Sequence, residues 1–161
     1  MGKGGVILGL IALVLGAGGL GFGLITWIDQ GKTDFWYDYK EAIYTPPGLD
    51  YYTVPDLYVI VELNAPATID MIFTTSTKIL PATNPSGYAD MLFYFWMDGE
   101  RLFDPFTRAG PYQGNATYQY IPVALQYSLT LSEGTHNISI VVFSETVGNF
   151  MRSSSLAVTR Y

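Results

Sequence analysis

The chain has 161 residues, of which 49% are hydrophobic, 16% aromatic and only 14% charged, a composition too apolar for a disordered protein. Its net charge of −6 argues against a nucleic-acid-binding protein, which would carry a basic surface. The absence of cysteine excludes disulfides and thiolate metal sites, and the single histidine, His136, excludes a multi-histidine metal site within one chain.

Residues 1–30 predict a hydrophobic, glycine-rich helix that anchors the chain in a membrane. No charged side chain occurs between Gly5 and Ile28. As a helix this run would extend about 36 Å, enough to cross a hydrocarbon layer about 30 Å thick. Lys3 precedes the run and Asp29 follows it. Because positive charge favours the cytoplasmic side, we expect a cytoplasmic N-terminus and an extracellular C-terminal domain at the cell membrane.

Two kinds of cleaved signal are the alternatives to a permanent anchor. A secretory signal usually has about 7–15 apolar residues before a small-residue cleavage site, and this run is longer and lacks a clear site. The opening "MGKGG" resembles the leader of an archaeal pilin-type signal, but Val6, Ile7 and Leu8 stand where such signals commonly have a glutamate. We therefore expect the segment to stay attached to the mature chain.

Small residues recur along this segment at alternating spacings of three and four. Such a heptad pattern keeps one seam of a helix facing a partner, and small side chains let two helices approach closely in lipid. The general abundance of glycine in membrane helices is the alternative explanation. We interpret the seam as a helix-packing surface that meets copies of itself or another membrane subunit. Its residues are Gly5, Gly9, Ala12, Gly16, Gly19 and Gly23.

Residues 31–56 are predicted to be an aromatic connector. The run Pro46-Pro47-Gly48 interrupts regular structure. Residues 33–43 have the pattern of a short amphipathic helix that continues outward from the anchor.

From residue 57 to residue 161 the hydrophobic period changes to two, which predicts strands. Asp98-Gly99, between two apolar runs, is typical of a tight hairpin turn. Seven or eight strands with polar turns predict an all-β, antiparallel, jelly-roll-like sandwich, and no helix is expected after residue 56. The residues expected on the buried face include Leu57, Val59, Val61, Leu63, Ile69, Met71, Phe73, Val123, Leu125, Tyr127, Leu129 and Leu131.

The C-terminal half resembles the C1q/TNF-like group in the order of its motifs. An aromatic strand ends in the Asp98-Gly99 turn, a long strand leads into "LSEGTHNISIVVF", and an apolar strand closes the chain. A glycine-rich anchor followed by a β-domain also resembles archaeal surface proteins. The resemblance implies a compact trimer with both termini near its base. It carries over no ligand-binding residue.

Residues 91–97 are apolar on both predicted faces, which a strand with one solvated face should not be. The second face is expected to be covered by a neighbouring subunit, or else by the connector of the same chain. One face holds Leu92, Tyr94 and Trp96, and the other holds Met91, Phe93, Phe95 and Met97.

Candidate catalytic and metal-binding residues are few. His136 follows a predicted turn and is expected to be a hydrogen-bonded turn residue. Asp98, Glu100 and Asp104 surround a hairpin; calcium binding is one interpretation, and solvated turn carboxylates are the preferred one. Residues 153–155 are serines without a nucleophile motif, and no phosphate-binding loop is present. We therefore predict neither an enzyme nor a resident metal or cofactor.

Asn115 and Asn137 each begin an N-x-S/T triplet and are candidate glycosylation sites in an exported domain. Asn115 lies in a glycine-containing loop. Asn137 begins a strand, where a glycan would require a side chain that points outward.

These observations predict a structural or interaction subunit on a cell or virion surface that self-assembles through the glycine seam and the β-domain. One alternative is a pilin-like filament whose core is formed by the helices. A second is an accessory subunit of a membrane enzyme complex, and a third is a sugar-binding module in which exposed Tyr and Trp stack on sugar rings. The expected partners are copies of the chain and membrane lipid, and nucleic acid is not among them.

Overall fold

A computed structural model describes residues 34–81, 90–110 and 118–161, and this part of the chain consists of eight β-strands without a helix. No helix in these ranges is therefore long and apolar enough to span a membrane. The predicted anchor, its helix-packing residues and Asn115 lie outside the described residues. The strands are β1 (Phe35–Lys40), β2 (Tyr51–Leu63), β3 (Ala67–Ile79), β4 (Met91–Met97), β5 (Glu100–Ala109), β6 (Gln119–Leu131), β7 (Gly134–Ser144) and β8 (Phe150–Arg160).

The strands form two antiparallel four-stranded sheets. One sheet has the order β1-β8-β3-β6 and the other has the order β2-β7-β4-β5. Consecutive strands from β1 to β4 alternate between the sheets, and each sheet pairs a strand from the beginning of the domain with one from the end. This is the order of a jelly roll built from two Greek keys. The predicted all-β, jelly-roll-like sandwich is confirmed.

The core lies between the sheets, and the alternation of buried and exposed residues that builds it is clearest in β2 and β6. In β2, Leu57, Val59 and Val61 are buried, while Tyr58 and Ile60 between them are exposed. In β6 the predicted inward face is also observed, with Tyr127 and Leu129 packed against the core at its margin. Successive side chains of a strand point to opposite faces. The period of two therefore determines which side chains of β2 and β6 enter the core. The fully buried side chains include Phe73, Phe93, Phe95, Ile69, Met71, Ile138, Ile140 and Leu156.

The sandwich begins earlier than the sequence analysis placed it. The short helix predicted over residues 33–43 is wrong for the described residues from 34 onward, because β1 pairs with β8 along its whole length, from Phe35 opposite Thr159 to Lys40 opposite Ser154. The 31–56 segment therefore supplies β1 and the first part of β2 to the domain. The pairing partner of β1 lies more than a hundred residues away in sequence, so no local pattern could identify it.

A hydrogen-bond network ties β1 to the start of the main part of β2. The backbone N–H of Tyr58 donates to Asp38 across 2.9 Å. Lys40 donates to the carbonyl of Pro55 and pairs with Asp56, whose φ of 55° marks an irregularity in β2. These contacts make the predicted connector an integral edge of the sandwich.

The start and the end of the domain lie side by side. The Arg160 guanidinium donates to the Asp34 carboxylate at 2.9 Å, and the Arg160 backbone N–H donates to the Asp34 carbonyl. This arrangement follows from the antiparallel pairing of the first and last strands. The N-terminus itself lies outside the described residues, so the trimer and the neighbouring termini that the C1q/TNF-like resemblance implies stay predictions.

The Asp98-Gly99 hairpin turn is confirmed between β4 and β5. Both residues have positive φ, 51° and 90° respectively, as a tight turn matched to the twist of the two strands requires. The serines 153–155 lie in β8. Ser153 has a φ of 52° at a break in the β3–β8 register, and the hydroxyls of Ser154 and Thr75 share a buried 2.9 Å hydrogen bond. These serines have a structural role.

Candidate functional site

The outer face of the β2-β7-β4-β5 sheet carries an unusual concentration of aromatic side chains. We call this surface the aromatic face. Its exposed members come from β2 and β5, and its covered members come from β4 and β7. The residues are Tyr51, Tyr58, Ile60, Leu92, Tyr94, Trp96, Arg101, Phe103, Phe106 and Phe143.

The outward side of β4 is covered in part by Tyr51, at the start of β2 in the same chain. The Tyr51 ring lies 5.8 Å from Tyr94 and 5.0 Å from Phe143, measured between ring centres. Tyr94 in turn stacks on Phe106 at 5.6 Å and is only 8% exposed. The intramolecular alternative considered for β4 is thus observed at Tyr94. Leu92 and Trp96 remain half-buried on this face.

A bulge in β5 brings Arg101 into the aromatic cluster. Tyr94 pairs with Phe106 and Trp96 pairs with Arg101, so the four residues 102–105 of β5 lie opposite a single residue of β4. Such excess residues kink an edge strand and redirect its side chains. Phe103 projects from this bulge and is 68% exposed.

Three aromatic rings surround the Arg101 guanidinium. Its central carbon lies 3.6 Å from the centre of the Tyr51 ring, 4.1 Å from Phe103 and 5.2 Å from Tyr94. A guanidinium stacks on rings through its flat faces and keeps the N–H groups at its edge available as donors. The rings therefore hold the cation without using its hydrogen-bonding capacity.

The phenol of Tyr94 has a raised pKa. Burial raises its pKa, and Tyr51 raises it further through unfavourable charge and a hydrogen bond, while nearby Arg101 acts in the opposite direction. The phenol therefore stays neutral at physiological pH. It serves as a rigid, amphipathic floor beneath the exposed rings.

A shallow, open groove of about 400 Å³ lies beside this cation, within the size range of small-ligand sites. It is lined by Tyr51, Trp96, Glu100, Arg101 and Phe103. The groove thus combines aromatic walls with one cation and one carboxylate. The aromatic strand was predictable from the sequence, but the place of Arg101 was not, because it depends on the bulge in β5.

The cations of the described residues fall into two groups. Lys40, Arg108 and Arg160 each pair with an aspartate, respectively Asp56, Asp90 and Asp34. The other group lies on aromatic rings and, within residues 34–81, 90–110 and 118–161, forms no ion pair with a carboxylate. Its members are Lys78 over Tyr118, Arg101 over Tyr51, and Arg152 over Tyr120.

His136 has the structural role expected from sequence. Its Nδ1 lies 2.7 Å from an Asp98 carboxylate oxygen and its Nε2 lies 3.0 Å from the Ser132 carbonyl oxygen. The hydrogen bond with Asp98 raises the pKa of His136 despite the opposing effect of burial. Burial also acts to raise the pKa of Asp98, but hydrogen bonds from His136 and the Asn137 N–H outweigh it and lower that pKa.

The turn carboxylates do not converge into a metal site. No group of three or more histidine or acidic side chains with a metal-binding arrangement occurs in the described part of the chain. Asp98 directs its two oxygens to His136 and to the Asn137 N–H. Glu100 instead faces the groove.

The structure places one of the two candidate glycosylation sites. Asn137 is exposed on β7, opposite Ile60 of β2, and its side chain points away from the core. The outward orientation that a glycan requires is present there. Attachment of a glycan at Asn137 or at Asn115 stays a prediction.

The fold and the groove define a jelly-roll domain with an aromatic, arginine-centred surface site. No protein-family model matches the chain, and no curated protein matches it. One similar solved structure is the CBM36-1 domain of a multidomain xylanase from the hindgut metagenome of Trinervitermes trinervoides, with 10% identity, a TM-score of 0.41, and coverage of 78% of this chain and 96% of that one. Another is the infectious bursal disease virus Gt strain structure, with 12% identity, a TM-score of 0.42, and coverage of 86% of this chain but 37% of the viral one. The jelly-roll assignment rests on the strand order of this chain itself.

Proposed function

We propose that the protein is a non-catalytic structural or interaction subunit, displayed on a cell or virion surface, that associates with copies of itself. The observation that carries the proposal is the exposed apolar surface of the aromatic face. Tyr58 is 51% exposed, Ile60 49% and Phe106 52%, and all three lie on one side of one sheet. Tyr58 and Ile60 lie at one edge of this sheet, on β2, and Phe106 lies at the opposite edge, on β5. Exposed apolar side chains gathered on one face of a folded domain mark an interaction site.

The β2 edge is the part of this face best suited to a second copy. Tyr58 and Ile60 alternate with the core residues Val59 and Val61, so their orientation is fixed by the register of β2. Aromatic and aliphatic side chains have few rotatable bonds, so they lose little conformational entropy when they are buried in an interface. The same contact repeated by symmetry would produce a closed oligomer or an extended array.

The N-terminal segment supports the same proposal from sequence. Its apolar run favours a membrane anchor with a cytoplasmic N-terminus, and its small-residue seam favours contact between helices. Two weak contacts linked in one chain reinforce each other, because the first association raises the effective concentration for the second. We therefore propose that both parts contribute to assembly at the membrane.

The test is the mass of the full-length protein in mild detergent, measured by light scattering coupled to size exclusion. The wild-type chain is expected to be an oligomer. The double variant Tyr58→Ser with Ile60→Ser should associate more weakly. It should already be dissociated at protein concentrations at which the wild type is still an oligomer. A matched control is Tyr37→Ser with Tyr39→Ser, two aromatic residues of similar exposure on the other sheet, which should leave the mass unchanged.

The two contacts can be separated by further variants. Gly16→Leu with Gly19→Leu should weaken assembly of the full-length chain if the helical seam contributes. A monomeric wild-type protein would refute self-assembly. Dissociation by the Tyr37 and Tyr39 pair alone would move the interface to the opposite sheet and refute its assignment to the aromatic face.

A further inference from the structure

We propose that the groove around Arg101 binds an acidic sugar, specifically a pyranose ring that carries a carboxylate, within a polysaccharide or glycan. This inference deepens the proposed surface role. It depends on that role in one respect, which is that the groove must be accessible from outside the cell or virion. It uses a different part of the aromatic face from the Tyr58–Ile60 contact.

Arg101 provides the charged end of the site. Its central carbon lies 3.6 Å from the centre of the Tyr51 ring and 4.1 Å from that of Phe103, and no carboxylate pairs with it among the described residues. The N–H fork at the edge of a stacked guanidinium matches the two oxygens of a carboxylate. A cation without a protein counter-ion in a chain of net charge −6 is therefore a suitable anchor for an external carboxylate.

The walls of the groove suit a sugar ring. Trp96 and Phe103 line it with aromatic surface, against which the C–H face of a pyranose can pack. Phe103 is 68% exposed at the tip of the β5 bulge, so its ring is accessible from solvent. A volume of about 400 Å³ in an open groove accommodates one or two sugar rings.

Glu100 determines which kind of anion fits best. Glu100 is one of the residues that line the same groove. A carboxylate there accepts hydrogen bonds, so it would favour hydroxyl groups and disfavour a second negative charge. A uronic acid presents one carboxylate together with several hydroxyls. Free phosphate or sulfate offers no ring to pack against the aromatic walls, and an acidic peptide offers several negative charges with fewer hydroxyl donors.

The experiment is calorimetric titration of the full-length protein in mild detergent with three probes. They are a trimer of galacturonic acid, the matching neutral trimer of galactose, and a short polyglutamate peptide. The uronate trimer is expected to bind most tightly. Arg101→Gln should weaken it by about tenfold to a hundredfold, the range for a hydrogen bond to a charged group.

Two variants make the result specific. Arg152→Gln is the matched control, since it removes another cation that lies on a tyrosine ring but belongs to the opposite sheet, and it should leave binding unchanged. Phe103→Ala removes an exposed wall of the groove and should weaken binding without affecting folding. If Arg101→Gln alters the melting temperature, the effect of Phe103→Ala on uronate binding still tests whether the groove is the binding site.

Several outcomes would overturn the proposal. These are equal binding of the neutral trimer, tighter binding of polyglutamate, which would assign the groove to an acidic protein segment, and absence of uronate binding. The Tyr58→Ser with Ile60→Ser variant separates this site from self-assembly. If that variant still binds uronate, the groove acts independently of self-assembly. If the wild-type protein is monomeric but binds uronate, the proposed self-assembly is refuted and the proposed groove is not.

Discussion

The Nδ1 atom of His136 lies 2.7 Å from a carboxylate oxygen of Asp98, and this contact joins the β4–β5 turn to β7. Asp98 also accepts from the Asn137 N–H at 2.8 Å, and its own N–H donates to the Asn137 carbonyl. The imidazole is held at its second nitrogen by Ser132. One end of the sandwich is thus fastened by a pair of groups that both titrate.

The pH dependence of stability follows from these two groups. The pKa of His136 is raised from 6.5, so its contribution to stability is present below that value and is lost as the pH rises through the higher folded-state pKa. The pKa of Asp98 is lowered from 3.8, so its contribution is present above that value and is lost as the pH falls through the lower folded-state pKa. We expect the pair to stabilise most between these two ordinary values.

Thermal unfolding of the full-length protein at a series of pH values checks this expectation. His136→Gln should remove the loss of melting temperature on the alkaline side of 6.5, because the titrating imidazole is gone. Glu133→Gln, a neighbouring charge change on an exposed residue, is the control and should preserve that loss. An unchanged alkaline profile in His136→Gln would show that the pair does not set the dependence.

Gly99 should resist substitution because of its backbone conformation. Its φ is 90°, and no atom lies within 4 Å of the position where a Cβ would be added. Gly99→Ala is therefore expected to lower the free energy of unfolding by about 1–2 kcal/mol through backbone strain alone. Gly99→Asn should cost less, since asparagine tolerates positive φ better. Denaturant titration measures the order, and equal losses for Ala and Asn would contradict it.

Phe73 of β3 and Phe93 of β4 connect the two sheets across the core. Both are fully buried, and their ring centres are 5.5 Å apart. Phe73→Ala should lower the free energy of unfolding by about 3–5 kcal/mol, because it removes apolar contacts and leaves a cavity. Phe103→Ala, on the exposed bulge, should change it by less than about 0.5 kcal/mol. Similar losses for the two variants would contradict the observed packing.

The positions of Asn137 and Ile60 lead to a prediction about glycosylation. The two residues are cross-strand partners on the aromatic face, so a glycan on Asn137 would obstruct close contact through Ile60. We expect the assembled native protein to carry sugar at Asn115 and none at Asn137. Mass spectrometry of peptides from the assembled material checks this. A glycan at Asn137 in the oligomer would contradict an interface through Ile60.

Local pattern was sufficient for the regular parts of the fold. The alternation in β2 and β6 indicated which side chains enter the core, and Asp98-Gly99 identified its turn, because both signals depend on neighbouring residues only. β1 was missed because Phe35, Tyr37 and Tyr39 face outward on an edge strand, and its stability comes from distant β8. The usual association of aromatic residues with the interior does not hold there.

The candidate site was predictable only in part. The two-sided aromatic pattern of residues 91–97 indicated that the outer face of β4 is covered, and Tyr51 covers part of it. The position of Arg101 depends on how many residues β5 inserts opposite β4, which is a property of the register and not of composition. The signal available in the sequence was the position of Arg101 in a stretch that also contains Phe103 and Phe106.

The contact between Asp34 and Arg160 has a practical consequence for labelling and for chain engineering. Because the start of β1 lies beside the end of β8, a fluorophore or fusion partner attached after Tyr161 would lie close to residue 34. In a shortened chain that begins at Asp34, a brief peptide could link Tyr161 to Asp34, and new chain ends could then be placed at a surface turn such as residues 64–66 with the sandwich intact.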